Sequence, residues 1–483
     1  MNKVDNFQLF GVTTPRDSSI NKDQRFVNCY PEKTDEQDLA VVKRPGLSAA
    51  VTTSDATTGR GVYSWRNTTS ADKIISVWSD SIYDNTSEIG TDALTNSTGR
   101  VWFEEAVDGD LLVLEPHATT HELHYWDGTT FSTLAVTSHP VFDGTSPTEG
   151  LRPGLVQLNG YIFVLSTLGR IWNSELNDHT SWIADSYIKP NLAIDEPMGI
   201  AKHVNYLVYF GSKSIVFYSD VGNPTGSPLK MLGGTGLNIG CAASDSIVNV
   251  ERTIFWIGKG HGGGHFVAAL EGLQAVSVST KWVEELLDAE GANISSAYAY
   301  TCRVGGHSFY VLTLPTTTQK TIAYDTTEGI WVEWTSYNGS TETYFTGIAS
   351  TVHNDVLYIQ DEDNGIVYTY SPTVYQDASN TIKVLGVTRL WDANTTQNKF
   401  VNRLTVKSDK ASSDATDLSI SYSDDDYNTF STARTVDLND INPNLTRLGD
   451  TKKRAFKYTF EENAPMRLRS FEIDYHEGKG YGY

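Results

Sequence analysis

Two stretches of the sequence carry side chains that could bind a metal ion. The first is Gly258-Lys-Gly-His-Gly-Gly-Gly-His265, in which His261 and His265 are four residues apart. Two imidazoles at this spacing on a helix could share a Zn²⁺ ion, but the glycines forbid a stable helix and the sequence offers no third ligand. Apolar runs flank the segment, so we interpret it as a long glycine-rich hairpin tip that could also line an interface or a channel.

The second stretch is Ser423-Asp-Asp-Asp-Tyr-Asn-Thr-Phe430, with three adjacent aspartates, Asp424 to Asp426. Carboxylates could bind Ca²⁺, but an EF-hand-like loop also needs a glycine and a distal glutamate, and both are missing. The spacing fits the Asp-box pattern S-x-D-x-G-x-T-W, with Tyr427 at the glycine position. This pattern predicts that Asp425 and Thr429 satisfy turn amides while Phe430 anchors the strand. Sialidases carry several such boxes, whereas this chain has one degenerate copy.

The sequence contains none of the usual catalytic motifs. Leu232-Gly-Gly-Thr-Gly-Leu237 resembles a phosphate-binding loop but lacks the Lys-Ser/Thr pair and a following helix. The nucleophile-elbow motif Gly-x-Ser-x-Gly is absent. A glycosidase needs two facing carboxylates, and with 59 acidic residues any pair could be imagined. We therefore predict that the chain is not an enzyme and has no catalytic residue, cofactor or metal site.

The charge of the chain disfavours nucleic-acid binding. The net charge is -22, from 59 acidic and 37 basic residues, whereas binding to a phosphate backbone requires clustered lysine and arginine. Solubility explains this charge most simply, and a passage to which DNA must not adhere is the more specific alternative. The start of the chain lacks a signal peptide and no apolar run reaches the roughly 20 residues of a membrane span, so we predict no membrane insertion. Three scattered cysteines predict reduced, mostly buried thiols.

A repeated module is the element that must position these residues. Each copy, about 45 to 50 residues long, combines a polar turn with apolar, aromatic-bearing strands and cannot bury its own apolar face. The copies begin near residues 61, 101, 155, 199, 247, 297 and 347. They predict an all-β chain whose residues 51–375 form a β-propeller of about seven blades.

The pattern changes outside these modules. Thr280 to Gly291 begins with an N-cap residue type, has apolar residues at helical spacing and ends in glycine, which predicts a short helix between blades. Irregularly spaced alternating strands in residues 380–483 predict a β-sandwich-like assembly domain. Residues 1–50 form a lead-in segment that completes either this domain or the propeller ring.

Three stretches near the start resemble the packaged DNA stabilisation proteins, the tail hub or nozzle family of short-tailed bacteriophages. They are Asn28-Cys-Tyr-Pro-Glu32, Lys43-Arg-Pro-Gly-Leu47 and Gly59-Arg-Gly-Val-Tyr63. The far end is also similar, through the Asp-rich hairpin, Arg447-Leu-Gly-Asp450 and residues 454–460. The similarity spans nearly the whole chain in order, although no single motif in it is specific.

The resemblance implies a structural virion protein made in the host cytoplasm. It implies a ring of six copies below the portal and its adaptor that closes the DNA exit channel and carries a needle or plug and tailspikes or fibres. Packaged DNA would pass without specific binding. Arg467 and Arg469, with the terminal Tyr-Gly-Tyr, add residue types enriched in interface cores, so we expect the C-terminal domain to make assembly contacts. A glycan-binding or glycan-cleaving propeller and a scaffolding propeller for cellular proteins remain the alternatives.

Overall fold

A computed structural model describes residues 2–478 apart from 11–24, 34–38, 67–72, 91–92, 117–122, 192–194, 224, 261, 338 and 412–414. Nearly all regular structure in these residues is β, arranged as a propeller with two further sheets attached to its perimeter. The predicted fold class is therefore confirmed. We number the blades in chain order. Within each blade, the strands are given from the innermost to the outermost.

The first four blades are separate four-stranded antiparallel sheets. Blade 1 contains Gly59–Trp65, Lys73–Trp78, Ser81–Asp84 and Ser87–Gly90; blade 2 contains Trp102–Glu105, Leu111–Leu114, Leu123–Trp126 and Phe131–Thr133. Blade 3 contains Leu151–Leu158, Tyr161–Ser166, Ile171–Glu175 and Asp178–Ile188; blade 4 contains Pro197–His203, Tyr206–Gly211, Ile215–Asp220 and Leu229–Met231.

The remaining blades are less uniform. Blade 5 contains Gly240–Cys241 and Val248–Val250, both paired with Thr253–Lys259, followed by His265–Glu271 and Gln274–Ser277. Blade 6 contains Tyr298–Val304, His307–Leu314, Lys320–Asp325 and Ile330–Tyr337, with Glu342–Tyr344 at its end. Blade 7 contains Gly347–His353, Val356–Asp361, Ile366–Ser371 and, from the start of the chain, Gly46–Thr52. A small hairpin, Gln376–Asp377 with Asn380–Thr381, extends blade 7.

The structure departs in two ways from a ring of seven independent modules. Six blades are sheets of their own, whereas blade 6 is the first part of a ten-stranded sheet that continues into the C-terminal strands. Blade 7 takes its outer strand from residues 46–52, so the start and the end of the ring are joined by hydrogen bonds. Gly46 is needed at this junction because a Cβ there would lie 2.1 Å from the carbonyl oxygen of Gln376.

The blades stack through apolar clusters that lie between neighbouring sheets. Val and Ile alternate with aromatic residues on strands that are buried on both faces, which is the composition expected for such surfaces. Between blades 2 and 3, for example, Leu112 and Leu114 pack in one cluster with Val164 and Trp172. The three cysteines are buried, as predicted.

The C-terminal strands and the start of the chain form two facing sheets. The first contains Lys3–Gln8, Cys29–Lys33, Leu39–Lys43, Lys399–Ser408, Asn444–Thr446, Asp450–Thr451 and Arg467–Glu477. The second is the outer half of the ten-stranded sheet: Arg25–Val27, Val384–Val387, Asp417–Ser423, Arg434–Asp437 and Ala455–Phe460. The rings of Phe456 and Phe471 meet edge to face between them, with centroids 5.6 Å apart.

One apolar core runs from this pair of sheets into the propeller. It contains Phe471 and Tyr458 from the facing sheets together with Phe309 and Trp334 from blade 6. Val27 pairs in parallel with Glu333 on the outer strand of blade 6, so backbone hydrogen bonds also cross the boundary. Both the core and the sheet are therefore continuous across the junction.

The predicted helix spans Lys281–Glu290, between blades 5 and 6. The hydroxyl of Thr280 accepts a hydrogen bond from the amide of Val283, and Gly291 ends the helix with a positive φ of 57°. Its buried face, which includes Leu286 and Leu287, packs in the cluster between the two blades. No helix in the described ranges has the length and apolar character needed to cross a membrane.

Candidate functional site

Of the two histidines in the glycine-rich segment, only His265 is among the residues that the structure describes. The segment joins the strands Thr253–Lys259 and His265–Glu271, which pair in register up to Lys259 and His265. His265 lies at the base of the tip, where its Nδ1 is 3.1 Å from Asp288 Oδ1 on the helix. His261 lies outside the described residues. The structure thus gives His265 a hydrogen-bond partner on the neighbouring helix.

The Asp-rich hairpin has the hydrogen bonds of an Asp box. Asp425 Oδ1 accepts from the Thr429 amide at 2.9 Å, and Asp425 Oδ2 accepts from the Thr429 hydroxyl at 2.6 Å. These bonds lower the pKa of Asp425 to about 2. Tyr427, at the glycine position, has a φ of 66°, and Phe430 packs against the small cluster beside it.

The neighbouring aspartates of this hairpin turn away from Asp425. Asp424 pairs through both oxygens with the buried Arg454, at 2.7 Å each. Asp426 lies 3.0 Å from Lys453 Nζ. Because the three carboxylates have separate partners, their arrangement stabilises a turn and does not converge on an ion.

Arg467 and Arg469 lie on the last strand and share one partner. Asp409 forms salt bridges with Arg467 Nη1 at 2.9 Å and with Arg469 Nη2 at 2.6 Å. Glu32 forms a further salt bridge with Arg467 Nε at 3.4 Å. The side chain of Arg469 is 55% exposed, against 25% for Arg467. Both cations are therefore engaged within the chain, and Arg469 keeps the larger surface for a partner.

Arg44 is a buried cation at the junction of the propeller and the facing sheets. Its guanidinium binds Asp377 through two nitrogens, at 2.9 and 2.5 Å, and donates to the Thr335 carbonyl of blade 6 at 3.0 Å. Its Nε donates to Asn28 Oδ1 at 2.9 Å, and Asn28 in turn donates to Thr335 Oγ1 and the Lys383 carbonyl. Burial disfavours the charge, but Asp377 raises the pKa of Arg44 above its usual value.

A second buried cation, Arg60, joins blades 1 and 2. Its Nη2 lies 3.1 Å from Glu115 Oε1, and both side chains are fully buried. Glu115 also accepts from the amides of Thr95 and Asn96. Burial raises the pKa of Glu115, but the adjacent His124 and these amides outweigh it, so the carboxyl stays below its usual pKa. Asn28, Arg44 and Arg60 all belong to the three N-terminal stretches that carry the family resemblance.

A third cation, Arg100, crosses the centre of the ring. It precedes blade 2, yet its Nη1 donates to the carbonyls of Asp245 at 3.0 Å and Ala299 at 2.6 Å, which belong to blades 5 and 6. Tyr298 and Tyr300 of blade 6 lie near the guanidinium, and burial lowers its pKa. A channel that one side chain can span is too narrow for a DNA duplex.

The carboxylates best suited to acid–base chemistry are held by neighbouring hydroxyls. Burial raises the pKa of Asp361 to about 6. Its Oδ2 accepts from the Thr346 hydroxyl at 2.9 Å, while Glu362 accepts from the Tyr344 hydroxyl at 2.8 Å. Adjacent residues on one strand end do not form the facing pair that glycan cleavage requires. This cluster therefore gives no support to the glycan-cleaving alternative.

Sequence reasoning also missed a group of ionisable side chains from two blades. Asp108 and Asp110 lie in the turn between the first two strands of blade 2, and His179 lies near the start of the outer strand of blade 3. His179 Nδ1 is 3.2 Å from Asp108 Oδ2, and its Nε2 is 3.4 Å from Asp110 Oδ2. No short motif could have revealed it, because the residues are far apart in sequence.

The blades, and an attached pair of sheets tied to them by buried cations, define a β-propeller protein. The sequence comparison agrees with this class. A family model described as bacteriophage P22 Gp10, beta-propeller, matches residues 26–375, which is more than two thirds of the chain. The chain belongs to this family of structural phage stabilisation proteins, and membership implies association with the virion.

Other comparisons add little. No curated protein matches the chain. Solved structures that resemble it include the N-terminal domain of Nup159, with 11% identity, a TM-score of 0.39 and coverage of 71% of this chain and 97% of that one. BamB from Moraxella catarrhalis has 10% identity, a TM-score of 0.38 and coverage of 71% and 97%. An exo-beta-1,3-galactanase from Phanerochaete chrysosporium has 11% identity, a TM-score of 0.28 and coverage of 77% and 95%. Similarity at this level carries no functional argument.

Proposed function

We propose that the chain is the tail hub, or nozzle, of a short-tailed phage and has no catalytic role. In this proposal six copies form a ring below the portal and its adaptor, extend and close the DNA exit channel, and retain the packaged DNA. The ring carries a needle or plug and tailspikes or fibres. Membership of the phage stabilisation family is the observation that carries this proposal.

The path of DNA follows from Arg100. Because this side chain reaches from the start of blade 2 across the centre to carbonyls of blades 5 and 6, DNA would run through the centre of a ring of copies and along their outer surfaces. A net charge of -22 suits such a surface, since an acidic wall repels the phosphate backbone and lets DNA pass without adhering. Ejection would then require no release of bound DNA from the wall.

The fused architecture suits a load-bearing ring component. The ten-stranded sheet and the common core hold the facing sheets rigidly on blades 6 and 7. We assign the upper contacts, with the adaptor ring and between copies, to the facing sheets and the first 50 residues. Loops of the propeller would then bind the distal partners. Arg469 is the candidate cation for the upper contact because it is the more exposed of the C-terminal pair.

The test is genetic complementation of a phage that carries a nonsense mutation in this gene. Without the protein, capsids should fill with DNA but lose it, so that nuclease-protected DNA per capsid falls while capsid number is unchanged. Supplying the wild-type chain in trans should restore both protected DNA and infectivity. Particles that keep their DNA without the protein would refute the role in retention, and imaging of complemented particles should locate six copies below the adaptor.

A further inference from the structure

We propose that Asp108, Asp110 and His179 bind one divalent transition-metal ion that joins blade 2 to blade 3. One ligand atom from each side chain lies within 4.8 Å of the other two. The aspartates come from one turn and the histidine from the neighbouring blade, so an ion bound here would connect two sheets. This site is independent of the proposed role in the phage tail.

The buried side chain of His179 distinguishes this site from an ordinary cluster of surface carboxylates. It is 5% exposed, and its Nε2 has no hydrogen-bond partner among the described residues. The ring is fixed in place, because Tyr125 packs against it edge-on at 5.1 Å and Trp182 Nε1 donates to the His179 carbonyl at 2.8 Å. A buried imidazole nitrogen without a partner is costly, and a metal ion would satisfy it.

The two carboxylates face the imidazole from two sides, Asp108 at Nδ1 and Asp110 at Nε2, and one oxygen of each lies within 4.8 Å of the other. Asp108 Oδ1 accepts from the Asp110 amide at 3.3 Å, which fixes the turn and leaves Oδ2 directed at the imidazole. The Asp108 side chain is 51% exposed, whereas that of Asp110 is 22% exposed. Solvent can therefore reach one side of the site and supply the remaining ligands as water.

The donor set selects the type of ion. Ca²⁺ and Mg²⁺ are bound almost entirely through oxygen, whereas imidazole together with carboxylates suits Zn²⁺ and its first-row neighbours. One ring nitrogen and two carboxylate oxygens give three protein ligands and leave a position for water, which is the ligand number of open rather than closed zinc sites. Zn²⁺ is therefore the appropriate probe.

Calorimetric titration of the full-length chain with Zn²⁺, after removal of metal with a chelator, tests the proposal. We expect one high-affinity Zn²⁺ per chain. Asp110→Asn and His179→Gln should each weaken it about tenfold or more, because each removes one of three ligands. Asp108→Asn should do the same, and since this side chain is half exposed its loss leaves no buried cavity that could unfold the blade.

His353→Gln is the matched control. His353 ends the first strand of blade 7, and its Nδ1 faces the Ser64 hydroxyl at 2.9 Å instead of a carboxylate. This variant should bind Zn²⁺ as the wild type does. The proposal is overturned if the wild type binds no Zn²⁺ or if Asp108→Asn leaves binding unchanged.

Discussion

Arg100 offers the sharpest test of the propeller's internal organisation. Its guanidinium holds the carbonyls of Asp245 and Ala299 from across the ring. Replacing it by methionine keeps a flexible chain of similar length but removes the charge and both hydrogen bonds. We therefore expect Arg100→Met to destabilise the ring without blocking its assembly from the individual blades.

The magnitude follows from the contacts. A hydrogen bond from a charged donor contributes about 1.5–3 kcal/mol, so two such bonds set an upper bound of about 6 kcal/mol. Burial lowers the pKa of Arg100, which means that desolvation already opposes its charge and reduces the net loss. We expect a loss of about 2–3 kcal/mol, which for a continuous core in a chain of 483 residues lowers the melting temperature by about 2–3 °C.

Thermal unfolding followed by circular dichroism would measure this loss. Arg303→Met is the matched control, because Arg303 lies on the same inner strand as Ala299 but its side chain is exposed. The control should melt within about 1 °C of the wild type. If Arg100→Met is as stable as Arg303→Met, the two carbonyls are satisfied by water and the guanidinium does not brace the ring.

Three further measurements test other parts of the molecule. Arg44→Met should cost about 3–5 kcal/mol in urea unfolding, because it leaves the Asp377 carboxylate buried without its partner, and adding Asp377→Leu should recover part of the loss. His139 is buried and its Nδ1 accepts from the amides of Val141 and Phe142, so burial lowers its pKa to about 4. The contribution of neutral His139 to the free energy of unfolding is complete above about pH 6.5 and is lost as the pH falls towards 4. The stability difference between wild type and His139→Gln should therefore shrink by about 2 kcal/mol from pH 7 to pH 5. An unchanged difference would show that the folded protein binds this proton. Finally, fluorescence anisotropy at about 0.15 M salt should detect no duplex binding tighter than about 100 µM, and micromolar binding would contradict a non-adhesive wall.

Much of the local structure could be predicted because its causes lie within short segments. Alternating β-branched and aromatic residues at a repeated spacing predicted strands in every blade, and Thr280 with Gly291 predicted both ends of the helix. The Asp-box spacing predicted that Asp425 and Thr429 satisfy turn amides, and Asp425 accepts from the Thr429 amide four residues along the chain. In each case the partners are close neighbours in sequence, so side-chain chemistry and backbone geometry decide the outcome together.

The sequence by itself determined that the chain is an acidic, mostly β protein of repeated modules, because composition and periodicity act locally. Only the tertiary structure decided which modules join. It placed residues 46–52 in blade 7 and fused blade 6 to the C-terminal strands. It also brought Arg44 to Asp377, Arg100 to Ala299 and His179 to Asp110, pairs that are distant in the chain. Such pairings depend on how the ring closes, and closure is set by the packing of all blades at once.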